Sequence, residues 1–153
     1  GMPAGIGEPV FDKLDAQLSK AVMSIGATKG IEIGDGFMVA ETTGSENNDE
    51  FYNDNGHIAK RTNHSGGVLG GMSDGSDIIF RTAIKPTPSI SSLQSTVSRN
   101  GDEMQVCIKG RHDPVIVPRA VVVVEAMTAL TLVDLIFDNM TARMDRVKEF
   151  YRK

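Results

Sequence analysis

The 153-residue chain has no tryptophan, two tyrosines and a single cysteine. With Cys107 alone, no internal disulfide can form, and a reducing cytoplasm is the simplest setting. Cys107 falls in the apolar-alternating run Met104–Ile108, so it reads as a small buried hydrophobe rather than a nucleophile. A strong positive charge is also lacking. A net charge of -4 argues against nucleic acid as the main partner, because a phosphate-neutralising surface usually makes a domain basic. No uninterrupted run of about 20 apolar residues is present, so no membrane span is expected, nor is a secretory leader. His57, His64 and His112 have no paired spacing, which gives no metal site. The chain opens GMPAGIGEP, so Gly1 is either a cloning remnant or the chain is a piece of something longer.

What is present suggests one α+β domain over 1–153, of a size expected to bury about two-thirds of its unfolded surface. Phe11, Leu14, Leu18, Val22 and Ile25 recur at helical spacing and predict an amphipathic helix over Glu8–Ile25, with Pro9 in its first turn. Gly30–Ala40, Asp77–Ile84 and Glu103–Lys109 have strand composition. The segment 41–62 is polar and rich in Asn, Asp and Gly, which reads as a long mobile surface loop. Pro118 opens a long apolar segment, Arg119–Met140, with so few charges that a helix buried on most sides is expected. A charged surface helix follows from Thr141.

Charge is unevenly placed. Residues 31–50 hold six acids and no base, whereas 81–120 hold Arg81, Lys85, Arg99, Lys109, Arg111 and Arg119 against three acids. The basic block is the natural place for an anionic ligand. Just before it, Gly66–Gly75 reads GGVLGGMSDG. Gly71–Gly75 matches G-x-S-x-G, but strand-like residues follow where a nucleophile elbow needs a helix. The cluster is equally open to two other readings: tight turns where backbone packs on backbone, or a backbone shaped to approach a phosphate-bearing ligand. Val68, Leu69 and Met72 argue against a solvated spacer. Arg111, His112 and Asp113 place a cation, an imidazole and a carboxylate on one loop, where proton transfer beside a bound anion is chemically feasible.

Five segments in order, GIGEPVFDKLDA from Gly5, SIGATKG from Ser24, GGVLGGMS from Gly66, KPTPSI from Lys85 and GRHDPVIVPR from Gly110, resemble the chorismate synthase family, as far as about Ile136. The resemblance implies a β-α-β sandwich of two similar halves, of which this chain would be one, with a long buried helix. It implies a homotetrameric cytoplasmic lyase of the shikimate pathway that converts 5-enolpyruvylshikimate 3-phosphate to chorismate by anti-1,4-elimination of phosphate, with reduced FMN required. Position by position, it implies flavin contacts at Gly26, Ala27, Gly70, Lys85, Pro86, Thr87, Pro88, Ser89 and Arg111. Asp113 and His112 become the candidates for proton handling. The family's amino-terminal half, with two catalytic histidines, substrate-holding arginines and a Ser-Ala-Arg signature, is absent from these residues. The chain is therefore expected to be a carboxy-terminal part that is inactive alone. The competing expectation is a non-catalytic binding or scaffold module that keeps the fold.

Overall fold

A computed structural model describes residues 1–152. In chain order it holds helix α1 (Leu14–Met23), strand β1 (Thr28–Ile33), a 3-10 helix (Gly36–Glu41), and the hairpins β2 (Phe51–Asp54) with β3 (His57–Lys60) and β4 (Val68–Leu69) with β5 (Met72–Ser73). Strand β6 (Phe80–Ile84), the ribbon β7 (Leu93–Val97) with β8 (Glu103–Cys107), and helices α2 (Val117–Thr141) and α3 (Met144–Phe150) complete it. The strands form four two-stranded antiparallel sheets, in which β1 pairs with β6 and the other pairs are sequential.

Leu14, Leu18 and Val22 recur every four residues on α1 and are fully buried. The helix starts at Leu14, not at Glu8. Val10 has φ 70 and Gly7 φ +129, neither of them helical, and the Leu14 amide, an otherwise unpaired donor, is met by the Gly71 carbonyl at 2.8 Å. The strand expected over Gly30–Ala40 lies instead at Thr28–Ile33. Gly34 and Gly36, at φ +57 and +58, turn the chain out of the ladder and into the 3-10 helix. Within 41–62, read as loop, the β2/β3 hairpin turns on Asn55 and Gly56, both left-handed.

The core gathers Met2, Ile6, Leu14, Leu18, Val68 and Leu135, with Ile33, Ile78, Leu132 and Ile136 packed against it. It is small for the chain. The accessible surface is 11242 Å², whereas a compact 16.4 kDa monomer exposes roughly 7,500 Å². Burial of two-thirds is therefore not reached. Much of the excess lies on α2, where Leu135 is the one buried residue and Val122, Leu130 and Phe137 are each more than 60% exposed. The helix is as long as expected; among the described residues α1 and α3 lie along it, and the amino-terminal arm meets it where Asn139 Nδ2 donates to the Gly5 carbonyl at 3.1 Å. Its length and composition would also suffice to cross a membrane, contrary to the reading that no segment could. Cys107 is half-buried rather than buried, and its Sγ donates to the Ser91 carbonyl at 3.5 Å.

Candidate functional site

The β1/β6 ladder brings together two of the segments singled out in the sequence. Its register pairs Thr28 with Ile84 and then Gly30 with Ala83, so Lys29 is a bulge. Just beyond it, the Lys85 amide donates to the Ala27 carbonyl at 2.7 Å. Bulges re-aim the residues beside them, and this one sits where SIGATKG meets KPTPSI. Ala27 itself is left-handed at φ 69, a conformation that a non-glycine residue holds only when its surroundings fix it. Gly26 is exposed, and a Cβ built there would meet nothing within 4 Å.

The loop after Lys85 is tied to a third segment. Nε2 of His112 lies 2.9 Å from the Ile108 carbonyl, which can only accept, so Nε2 carries the proton. In the neutral ring Nδ1 is then an acceptor, and it receives the Ser89 hydroxyl at 3.1 Å. Pro86 and Pro88 fix two backbone φ angles between these two ties. Between the prolines, the Thr87 Oγ1 is buried with no hydrogen-bond partner, a costly condition that a ligand oxygen could relieve. The Thr28 Oγ1, one residue from Ala27, is orphaned in the same way. Sequence reasoning missed Thr28; its only signal was a hydroxyl directly after the Gly26-Ala27 pair.

The cations of the basic block divide into two groups. Arg81 pairs with Glu32 at 3.0 Å and Arg119 with Asp113 at 2.9 Å, whereas Lys85, Arg99, Lys109 and Arg111 are exposed and form no ion pair among the described residues. Of these four, Lys85 and Arg111 belong to the two segments that the Ser89–His112 bridge joins. Asp113 lies one residue from His112, yet its carboxylate turns away to Arg119 in the first turn of α2. No hydrogen bond joins the two candidate proton-handling side chains among the described residues.

Gly70 is not brought to the same place. It occupies the β4/β5 turn at φ +62, and Gly71 beside it accepts from Leu14 at the start of α1. Gly26 and Ala27 follow the other end of α1, which at ten residues is about 15 Å long. A ligand meeting both must be elongated. A Cβ at Gly70 would meet nothing within 4 Å, so the turn faces open space. Gly66 and Gly67 differ: a Cβ would strike the Gly34 nitrogen at 2.4 Å and the Asp77 carbonyl oxygen at 2.5 Å. They are packed turns. Ser73 is 3% exposed; it accepts from the Ile6 amide at 2.9 Å and donates to the Pro3 carbonyl, a structural role with no access for a substrate.

Comparison with known proteins agrees with the segments assembled here. The chorismate synthase family model matches residues 1–137. The chorismate synthase of Lachnospira eligens is 73% identical over 153 residues, covering 100% of this chain and 42% of the relative. That of Agathobacter rectalis is 62% identical with the same coverage, and that of Archaeoglobus fulgidus is 60% identical over 134 residues, covering 87% of this chain and 37% of the relative. A chorismate synthase crystal structure superposes with a TM-score of 0.73 at 32% identity, covering 97% of this chain and 38% of the other. The chain thus spans about two-fifths of the length of the relatives it matches. It belongs to the chorismate synthase family.

Proposed function

We propose that this chain is the carboxy-terminal part of a chorismate synthase and forms one wall of an FMN site. The observation that carries the reading is the pair of ties, Ala27 to Lys85 and Ser89 to His112, which gathers three separated segments carrying two free cations and an orphaned hydroxyl. Lys85 and Arg111 would receive the flavin phosphate as charges. Thr87 would donate its hydroxyl, and the two prolines hold the loop in shape before the ligand arrives. Gly26 and Gly70 leave backbone open at both ends of α1, with Ala27 beside the first, which suits an elongated molecule with a ring system and a phosphate tail. Bound in its reduced form, FMN would lend an electron transiently to help phosphate leave 5-enolpyruvylshikimate 3-phosphate, with no net redox change.

In this reading Asp113 is the proton acceptor that Arg119 orients, and His112 acts through Ser89 as the residue that fixes the loop. The remaining surface of the site, and the cover for α2, would come from an amino-terminal half, in a cytoplasmic homotetramer. The excess accessible surface supports that assignment. The 153-residue chain alone is then inactive. The test is chorismate formation from the phosphorylated substrate with chemically reduced FMN. Turnover is expected from the complete reading frame that carries these residues and not from the isolated chain, and turnover by the isolated chain would overturn the assignment. Failure of the complete protein to quench FMN fluorescence would favour the scaffold alternative.

A further inference from the structure

The polar segment between the acidic block and the glycine cluster closes on a single buried cation. The Lys60 side chain is 3% exposed, and a buried lysine is tolerated only when it is fully paired. Its Nζ lies 2.7 Å from Asp74 Oδ2, 2.9 Å from Ser65 Oγ, 3.1 Å from Asn63 Oδ1 and 3.2 Å from Asp49 Oδ2. Four acceptors converge on three protons, an arrangement that suits the compact ammonium of lysine and not the planar fork of arginine.

Three of those partners, Asn63, Asp49 and Asp74, also hold backbone in the glycine turn or in the residues leading into it. Asn63 Oδ1 accepts from the Gly67 amide at 2.8 Å, and Asn63 Nδ2 donates to the Asp77 carbonyl at 2.8 Å. The Asp49 carboxylate receives the amides of His64 and Ser65 and the Thr62 hydroxyl. The Asp74 amide donates to the Gly67 carbonyl at 3.1 Å, closing the loop around β4 and β5. Those strands are two residues each, too short to fix their own turn. One side of the hairpin rests on α1 through Gly71, and on Ile6 through Ser73. The other side rests on Lys60.

We infer that Lys60 is a positioning residue that sets the turn carrying Gly70, and through it one end of the flavin site; the second half of this statement rests on the FMN reading above. Without the ammonium, the Asp49 and Asp74 carboxylates face each other with no counter-charge. The segment from Asn63 to Asp74 then has to open, and Gly70 moves with it.

The experiment uses the complete reading frame carrying these residues, as wild type, Lys60→Met, and the charge-compensated Lys60→Met/Asp49→Asn/Asp74→Asn. Free FMN is the probe, followed by fluorescence quenching at a temperature well below every melting point. Amide hydrogen exchange of the peptide spanning Gly67–Met72 is followed without flavin. Lys60→Met is expected to weaken FMN binding about tenfold, the factor corresponding to the loss of roughly one positioned hydrogen bond. Exchange at Gly67–Met72 should rise while α1 and the β1/β6 ladder keep their protection. The compensated variant should regain melting temperature without regaining FMN affinity. Affinity that stays at the wild-type value in Lys60→Met, or returns with the melting temperature in the compensated variant, overturns the positioning role. A wild-type protein that binds no FMN overturns the flavin reading instead, and the exchange data then decide separately whether Lys60 holds the turn.

Discussion

The Ser89 hydroxyl and Nδ1 of His112 stand 3.1 Å apart, and the direction of that bond is set on the far side of the ring, where Nε2–H is occupied by the Ile108 carbonyl. The histidine thus ties the loop after Lys85 to the end of the β7/β8 ribbon, with both ring nitrogens engaged. His112→Ala is expected to free Ser89 and weaken FMN binding about tenfold, the effect of losing roughly one hydrogen bond and its ordering. Asp113→Asn should behave differently. Its carboxylate is held by an exposed arginine in a pair worth about 0–1 kcal/mol, so flavin affinity should hardly change while turnover falls. Parallel FMN titrations and kcat measurements on the two variants separate the roles, and a Asp113→Asn enzyme with wild-type kcat would remove Asp113 from the chemistry.

Two glycines of the same cluster should respond in opposite ways to alanine. Gly66→Ala drives a Cβ into the Gly34 backbone at 2.4 Å and the Ile79 carbonyl at 2.6 Å, at φ +64. That clash cannot relax through side-chain motion, and a loss of about 1–3 kcal/mol is expected. Gly70→Ala meets open space and incurs only the left-handed strain, roughly 1 kcal/mol. Thermal melts should therefore show the larger drop for Gly66→Ala, and flavin titration should show the loss at Gly70→Ala. A Gly70→Ala protein that binds FMN as tightly as wild type would take Gly70 out of the contact surface.

The contrast between those glycines also shows what the sequence could and could not reveal. Periodicity located α1, α2 and three of the eight strands, β1, β6 and β8, because apolar spacing reports which face is buried. It misplaced the start of α1 because the Glu8–Lys13 stretch has helical spacing, but the Leu14 amide is taken by the Gly71 carbonyl, far along the chain, and not by a preceding turn of helix. It ran β1 past Ile33 because alternation continues through Phe37 and Val39, while left-handed glycines at 34 and 36 turn the backbone. At the site, motif order identified Lys85–Ser89 and Arg111–Asp113 as segments. Which side chains face one another was invisible, since Asp113 turns to Arg119 and Ser89 to His112 only once α2 and the β7/β8 ribbon are in place. Lys60 was passed over because a lysine in an acidic polar stretch normally marks solvent. Only the return of Asp74 after the glycine hairpin buries it.

Acid should weaken the glycine region through Asp49 and Asp74. Burial alone would raise both carboxyls. Hydrogen bonds from Ser65, Thr62 and His64 outweigh it at Asp49, and Lys60 and Ser76 do so at Asp74, so both lie below the ordinary value of 3.8. A folded-state pKa below the unfolded one gives stability that is complete above the ordinary value and is lost as pH falls below it. Urea midpoints measured from pH 7 downward should therefore drop below about pH 4. Asp49→Asn should cost about 1–3 kcal/mol at neutral pH and flatten that drop. An unchanged acid slope in Asp49→Asn would mean that its carboxylate is not held as the geometry shows.

The exposed side of α2 should be the surface on which the rest of the protein depends. Val122, Leu130 and Phe137 share one side of the helix at exposures of 62%, 63% and 61%, turned away from Leu135, which is buried in the core. Burying each of the three is worth about 1.5–3 kcal/mol, so a long helix with one apolar side bare favours association with any apolar face available. The isolated chain is therefore expected to self-associate in light-scattering measurements. Leu130→Glu with Phe137→Glu should leave it monomeric with unchanged helix content, because neither residue touches the small core. In the complete protein the same pair should sharply lower solubility or melting temperature, since two carboxylates would then be driven into a buried interface. A complete protein that tolerates both substitutions at wild-type melting temperature would show that this side of α2 stays in solvent, and the excess surface would need another explanation.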